Sequence, residues 1–145
     1  MNFISKKFSD LTGREVYEIL KVRMKVFLLE QNIVCLDTDD VDYNCLHCYL
    51  EEDGEMIAYL RAFYSDKDTV TIGRVLTVKH GVGHGKELIN KSLDVIREKL
   101  PCKAITLHSQ TQALGFYEKF GFEACSEEFL EEGVPHVEMR LICNS

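Results

Sequence analysis

The sequence predicts one domain, residues 1–145, of the α/β (α+β) class, built on a single mixed, mostly antiparallel sheet. Three observations support this prediction. Alternating β-type runs fill much of the first half and are separated by turn signals such as Asp53-Gly54. A glycine loop at 81–85 then joins an apolar strand to an amphipathic helix, and a buried strand and a short helix follow. The 145 residues, 46% of them hydrophobic, suffice for one core.

The first half of the chain predicts a strand, a helix and then a meander of three strands. Thr12 and Glu15 have the spacing of a capping box, which begins a helix that reaches about Glu30. An acidic loop follows at 31–44, and we interpret its aspartates as a solvated charge cluster. The predicted strands of this half are 3–8, 45–52, 55–64 and 70–78.

The second half predicts the remaining helices and strands. The helix after the glycine loop ends near Leu100, because Pro101 stops it. A short helix at about 112–120 ends at Gly121. The buried side of the longer helix is predicted to consist of Leu88, Ile89, Leu93, Ile96 and Leu100. The predicted strands are 104–108, 122–127 and 137–142. In total we expect about six to seven strands flanked by about three to four helices.

Charge and composition limit the class of protein. A net charge of −7 argues against nucleic-acid binding through a basic face. The sequence has no run of about 18 apolar residues, so we expect no membrane span. Residues 1–7 lack the apolar stretch of a signal peptide, so we expect a cytoplasmic protein whose six cysteines are reduced. Cys45 and Cys48 lie three apart in a strand and point to opposite faces, so we expect no metal site.

The glycine loop has the properties of an anion site built from backbone. Glycines at alternate positions allow a tight turn, and the N–H groups of the turn and of the following helix converge where the helix dipole is positive. A P-loop is excluded because Lys86 is followed by Glu87 and His80 stands where its first glycine belongs. A dinucleotide fingerprint needs glycines at the first, third and sixth positions, which the loop lacks. An ordinary tight strand-to-helix connection remains the alternative.

Two motifs resemble those of the GNAT superfamily of N-acetyltransferases. Residues 80–85 fit the acyl-CoA pyrophosphate loop, Gln/Arg-x-x-Gly-x-Gly/Ala, with His80 in place of Gln or Arg. Residues 117–122 fit the pattern Tyr-Glu-Lys-x-Gly-Phe, and Gln110 stands where the superfamily usually has Asn. The resemblance implies a GNAT fold, with a V-shaped splay between the strands at the acyl-CoA site.

The chain is most similar to the ElaA-like branch of that superfamily. Residues 23–31 match Arg-x-x-Val-Phe-x-x-Glu-Gln, and the matches extend over about residues 20–140. Further matches are Asp37-x-Asp39, His47, Ala58-x-x-Arg61, Ile72-Gly73-Arg74-Val75, Glu132-Gly133-Val134-Pro135-His136 and Met139. The connection between Val75 and the glycine loop is shorter than usual, which leaves open which residue contacts the acetyl group.

The resemblance implies direct transfer of an acetyl group from acetyl-CoA to a primary amine in a ternary complex, with no metal. Gln110 would contact the CoA arm, and Tyr117 would be the general acid that protonates the departing thiolate; a tyrosine merely packed beside the cofactor is the alternative. The pyrophosphate would be held by Val82, Gly83, His84, Gly85 and Lys86. The backbone N–H that faces the acetyl oxyanion would belong to Leu76, Thr77 or Val78.

The general base and the substrate pocket are less defined. Many relatives use a carboxylate on the strand before the loop, where this chain has Arg74, so Glu30 and His136 are the candidates, with a water relay as the alternative. Arg23 and Glu30 are seven residues apart and would share one helix face, as an ion pair or as substrate contacts. Arg61 and Arg74 are expected to pair with Glu30 or Asp37, or to bind a substrate carboxylate.

The partner predicted from this resemblance is a small-molecule or peptide amine, and a homodimer is possible. The acidic segment 127–132 either favours a cationic amine or is solvated surface. Two other functions remain open at this stage: a non-catalytic acyl-CoA-binding or regulatory domain, and a protein-interaction module with a degenerate loop.

Overall fold

The computed structural model describes residues 1–143 as a mixed sheet flanked by helices, and the predicted fold class is confirmed. The strands are β1 Asn2–Lys7, β2 Leu46–Glu52, β3 Glu55–Asp66, β4 Thr69–Thr77, β5 Ala104–Gln110, β6 Glu123–Ala124, β7 Phe129–Glu131 and β8 Val134–Ile142. The helices are α1 Gly13–Arg23, α2 His84–Lys99 and α3 Leu114–Glu118. The eight strands follow the order β1-β2-β3-β4-β5-β8-β6, with β7 also paired to β8. The sequence did not predict β7.

Helix α1 begins with the predicted capping box. Thr12 Oγ1 accepts a hydrogen bond from the N–H of Glu15 at 3.1 Å, and the Glu15 carboxylate accepts one from the N–H of Thr12 at 2.9 Å. The same carboxylate also accepts from Lys6 Nζ and from the hydroxyl of Tyr49, so it fixes α1 to β1 and β2. Partial burial acts to raise the pKa of Glu15, but these hydrogen bonds outweigh it and lower that pKa to about 2.

A π-helical segment, Met24–Glu30, replaces the predicted last turns of the first helix. The N–H of Gln31 donates to the carbonyl of Val26, five residues back, at 2.9 Å. The expectation that Arg23 and Glu30 share one face is therefore wrong, since it assumed 3.6 residues per turn. Arg23 is fully buried, whereas Glu30 is exposed.

The two faces of the sheet are covered by different helices. Helix α2 packs one face, and its predicted buried side is confirmed: Leu88, Ile89, Leu93 and Ile96 are in the core, and Leu100 is partly buried against it. Helix α1 and the π-helical segment cover the other face through Ile19, Val22 and Val26. The sheet is therefore packed by helices on both faces.

Backbone irregularities in β3 and β4 change which side chains share a face. The sequence predicts that Ile72, Arg74 and Leu76 point the same way. Instead the register shifts near Arg74, whose φ is +53°, so that Ile72 packs against α2 and Leu76 against α1. The same alternation predicts that Ile57 and Tyr59 share a face, but a second shift, in the pairing of β2 with β3, separates them. A strict two-residue alternation cannot show a bulge, which explains both errors.

Strands β4 and β5 open the sheet. Their parallel pairing runs from Thr69–Ala104 to Ile72–Leu107. Beyond that point, residues 73–77 pair with β3 and residues 108–110 pair with β8, so the two strands diverge as predicted. Within the part of the chain that is described, no helix is long and apolar enough to cross a membrane.

Candidate active site

A cleft of about 650 Å³ lies where β4 and β5 diverge. This volume is within the usual range for small-molecule sites, about 300–1,000 Å³. The loop after the π-helical segment forms one wall, with Gln31, Ile33, Cys35, Asp37 and Asp39. The strands β5, β7 and β8 and helix α3 supply another, which includes His108, Gln110, Tyr117, Glu131, Glu132 and His136. The first residues of the two predicted motifs, His80 and Tyr117, therefore both line this cleft.

The glycine loop runs from the rim of this cleft into α2. His80 lines the cleft, and Gly83, with φ +84°, is the N-cap residue of α2. The first intrahelical hydrogen bond goes from Glu87 N–H to the Gly83 carbonyl, so the preceding N–H groups have no partner within the helix. A Cβ on Gly85 would lie 3.2 Å from the Phe116 ring, so a glycine there allows α2 to approach α3 closely. The loop thus presents unpaired donors at a helix N-terminus.

The end of β4 presents one backbone N–H toward the diverging edge. Val78 N–H donates to the Ile57 carbonyl at 2.9 Å, so that donor is already used by β3. Because hydrogen-bonded and non-hydrogen-bonded pairs alternate in an antiparallel ladder, Leu76 also faces β3 and Thr77 faces away from it. Among the three candidates from the sequence, the ladder therefore leaves Thr77 as the available donor.

Tyr117 brings a protonated phenol into the cleft. Its ring is 8% exposed and packs edge-on against Phe116 and Phe122, at centroid distances of 5.1 and 6.1 Å. The residue is one of those that line the cleft. Burial raises the pKa of Tyr117 to about 12, so the group keeps its proton at neutral pH.

Gln110 connects the two walls of the cleft. Its amide nitrogen donates to Gln31 Oε1 at 3.1 Å, and its own carbonyl oxygen accepts from Gln112 Nε2 at 2.6 Å. Gln31 belongs to the loop wall and Gln112 to the turn before α3. Gln110 therefore lies in the cleft, at the end of β5.

The two candidate bases differ in position. Glu30 is exposed and pairs with His80, whose Nε2 lies 2.5 Å from its Oε1. His136 is 7% exposed and lines the cleft. Its Nδ1 donates to the Val134 carbonyl at 2.7 Å, which leaves Nε2 of the neutral ring with a free lone pair. Of the two, His136 has the geometry of a proton acceptor inside the cleft.

Three arginines and three aspartates form one network behind and beside the loop wall. Its members are Arg23, Arg61, Arg74, Asp37, Asp39 and Asp42, and we call it the arginine–aspartate network. The interpretation of these aspartates as a solvated cluster is therefore wrong. The sequence could not show that arginines from three separate elements converge on the acidic loop.

The fully buried Arg23 is the inner member of the network. Its Nε donates to Asp37 at 2.8 Å and its Nη1 to Asp42 at 2.7 Å. Arg23 does not line the cleft, so its predicted contact with substrate is not supported. His47 fixes Asp42 from behind, because its Nε2 donates to the Asp42 carbonyl at 2.9 Å and its Nδ1 accepts from Tyr59.

Arg61 and Arg74 are the members of the network that line the cleft. Arg61 binds both oxygens of Asp39, at 2.7 and 2.6 Å, and Arg74 Nε reaches Asp37 at 3.1 Å. The predicted pairing of Arg74 with Asp37 is confirmed. The prediction for Arg61 is wrong, because its partners are Asp39 and Asp42, and Glu30 pairs with neither arginine. The Arg61 hydrogen bonds lower the pKa of Asp39 to about 2, so the network is ionised at neutral pH.

Sequence reasoning missed His108 as a site residue. It lies at the open end of β5, and its Nδ1 is 2.8 Å from Oε1 of Glu131. A polar residue near the carboxyl end of a buried strand, next to a strand that diverges, is the signal that could have identified it. In residues 1–143, no three histidine, cysteine, aspartate or glutamate side chains are placed to hold a metal ion.

Comparison with known proteins identifies the class that this fold and cleft define. Residues 23–143 match the family model "Acetyltransferase (GNAT) domain". The chain belongs to the GNAT family, in its ElaA-like branch, and is an N-acyltransferase.

Individual relatives are similar over nearly their whole length. The chain is 35% identical to a UPF0039 protein of Schizosaccharomyces pombe, over 97% of each chain, and 34% identical to protein ElaA of Escherichia coli, over 90% of each. The crystal structure of Escherichia coli ElaA superposes with a TM-score of 0.90 at 31% identity, covering 96% of this chain and 97% of that one. An acyl-CoA N-acyltransferase of Pseudomonas aeruginosa also superposes at 0.90, with 30% identity and coverage of 97% and 99%. The family favours an enzyme over the binding and interaction modules considered above.

Proposed function

We propose that the chain is an acetyl-CoA-dependent N-acetyltransferase that transfers acetyl directly to the primary amine of a small molecule or peptide. One observation carries this proposal. Tyr117, whose phenol can donate a proton, and His136, whose Nε2 can accept one, line the same cleft, and the glycine loop begins at its rim. Acyl transfer to an amine needs both groups, since the amine loses a proton and the thiolate gains one.

Different residues of the cleft are proposed to bind the pyrophosphate, the CoA arm and the acceptor amine. The N–H groups of Val82, Gly83, His84, Gly85 and Lys86 form the proposed pyrophosphate site, with the dipole of α2 behind them. Gln110 is the proposed contact for the CoA arm. The acceptor amine would enter between the loop wall and β8, where Arg61, Arg74 and His136 lie. Because both arginines already bind aspartates, we favour a structural role for them over carboxylate recognition.

The proposed reaction assigns one step to each group. His136 Nε2 takes a proton from the acceptor ammonium, which frees the nitrogen lone pair for attack on the thioester carbonyl. Thr77 N–H donates to the oxygen that becomes negative in the tetrahedral intermediate. Tyr117 gives its proton to the sulfur as the C–S bond breaks and CoA leaves as the thiol. The nitrogen loses its second proton as the amide forms, and this proton returns through water to the Tyr117 phenolate. Glu30, on the rim, is the second candidate for the base.

Thermal unfolding with and without acetyl-CoA tests the cofactor directly, with ATP and NAD as controls. Ligand at about 100 times its Kd should stabilise the protein by about 2.7 kcal/mol, or roughly 5–10 °C in Tm. A rise for acetyl-CoA but not for the controls should be followed by an amine screen that detects free CoA thiol. Absence of any rise at millimolar acetyl-CoA and at millimolar longer acyl-CoA would contradict the proposal.

Gly83→Ala should weaken acetyl-CoA binding by up to about tenfold. The left-handed conformation costs a residue with a Cβ about 1–2 kcal/mol, so the loop would leave the conformation that directs its N–H groups together. Titration calorimetry of the folded variant measures the effect. Gly13→Ala is the matched control, because a Cβ there meets nothing within 4 Å and the residue begins α1. Equal affinity in both variants would show that the loop does not form the site.

A further inference from the structure

A short hairpin brings a second ionisable group to His136. Strands β7 and β8 are joined by Glu132 and Gly133, whose φ values are +50° and +75°, as in the two-residue type I′ turn. The hairpin pairs Phe129 with His136. Because side chains two apart on a strand share a face, Glu131 lies on the same face as His136.

Strand β5 adds a third group to that face. It pairs Gln110 with His136 and His108 with Glu138, so His108 and His136 point to the same side of the sheet. Glu131 lies between the two imidazoles, with Oε1 at 2.8 Å from His108 Nδ1 and Oε2 at 3.6 Å from His136 Nε2.

These contacts determine which ring nitrogen carries a proton in His108 and in His136. The short distance between His108 Nδ1 and a carboxylate requires an N–H there, so His108 donates to Glu131. His136 donates from Nδ1 to a backbone carbonyl, and therefore its free Nε2 is the nitrogen that faces Glu131. The Phe129 ring packs against both imidazoles, at centroid distances of 5.0 and 6.2 Å, and shields the three groups on one side.

We propose that Glu131 is a positioning residue for proton abstraction by His136, and that His108 holds Glu131 in place. This proposal rests on the role of His136 as the base. When Nε2 accepts the proton, the N–H bond of the ammonium breaks and a positive imidazolium forms opposite the Glu131 carboxylate. After product release the imidazolium returns that proton to water, so His136 is restored and Glu131 stays ionised throughout.

Other charged groups near the pair have defined positions. Glu138 lies on β8, 3.5 Å from His108 Nε2, and Cys125 donates to its other oxygen. Glu132 is the neighbouring carboxylate in the turn and also lines the cleft. Neither replaces Glu131, since Glu131 is the carboxylate that His136 Nε2 faces. Glu132→Gln is therefore a control with the same change of net charge.

The experiment titrates the His136 ring by NMR in the wild type, Glu131→Gln, Glu131→Asp and Glu132→Gln, and records the pH dependence of kcat/KM for the same proteins. A carboxylate favours the protonated imidazole, so in Glu131→Gln the rising limb of kcat/KM should move to lower pH, though modestly because Glu131 is 45% exposed, and its plateau should fall about three- to tenfold. The ring signals of His136 should follow the same displacement. Glu131→Asp should recover part of both changes, and Glu132→Gln should leave the rising limb at its wild-type pH.

The two readouts separate this inference from the proposed function. An unchanged His136 titration in Glu131→Gln, or an equal shift in Glu132→Gln, would overturn the pairing, whatever the activity. A shifted titration with an unmoved kinetic limb would show that His136 is not the base, which overturns its proposed catalytic role. His108→Asn keeps a donor at the Nδ1 position and should resemble the wild type, whereas His108→Ala should reproduce part of the Glu131→Gln shift.

Discussion

Tyr117→Phe should lower kcat by about 100- to 1,000-fold while leaving the Kd for acetyl-CoA within about twofold. The substitution removes the proton that the departing thiolate needs and keeps the ring, which packs against Phe116 and Phe122. Steady-state kinetics with the best amine from the screen, together with calorimetric titration of acetyl-CoA, measures both quantities. Because the pKa of Tyr117 is about 12, loss of this proton should not reduce wild-type activity between pH 8 and pH 10.

The control for this experiment is Tyr17→Phe, since Tyr17 is exposed on α1. It should leave kcat unchanged. If Tyr117→Phe retains more than about a third of wild-type kcat, the phenol is a packing group beside the cofactor, the other role considered for it. A loss of kcat accompanied by an equal loss of acetyl-CoA affinity would point to disturbed packing in place of lost proton transfer.

Arg23→Met should reduce the free energy of unfolding by about 3–5 kcal/mol, the largest stability effect that we expect from one substitution. The side chain of Arg23 is fully buried, and methionine would fill much of its volume while leaving Asp37 and Asp42 without their shared partner. Urea unfolding at pH 7 measures the loss. Arg14→Met, at an exposed position of the same helix, should change stability by less than about 0.5 kcal/mol.

The same network predicts how stability depends on pH. The pKa of Asp39 is about 2 in the folded protein, and that of Asp42 is lowered despite its burial by hydrogen bonds from Arg23 and Arg61. Because an unfolded aspartate has a pKa of about 3.9, the stability from these groups is complete above about pH 4 and is lost as the pH falls toward 2. Arg23→Met should lose less stability than the wild type over that interval. An equal loss in both proteins would show that Arg23 does not hold the folded-state pKa of Asp42 low.

The parts of the fold that could be predicted are those specified locally. The capping box at Thr12, the apolar side of α2 and the divergence of β4 from β5 all follow from short patterns or from the family motifs. The π-helical segment could not be predicted, because its apolar residues are also compatible with an α-helix. The segment begins directly after the buried Arg23, and no local pattern marks that position as the start of a π-helix.

The candidate site was predictable where a motif marks it and not where distant residues meet. Tyr117, Gln110 and His136 lie in the cleft as the resemblance implied, while their chemical roles remain proposals. The arginine–aspartate network joins residues 14 to 37 positions apart, and no local pattern specifies which arginine meets which aspartate. The hairpin that presents Glu131 was missed because its turn has glutamate where asparagine or aspartate is usual.

The π-helical segment, which precedes the loop wall, can accommodate a change in the number of residues. A π-type turn holds one more residue than an α-type turn, so removing a single residue between Met24 and Glu30 can convert it to an α-helix without breaking the helix. Gln31 and the loop that follows it would then shift along the helix axis by about 1.5 Å, the rise per residue of an α-helix. Because Phe27 of this segment also lines the cleft, a one-residue insertion or deletion there would alter the acceptor side of the cleft.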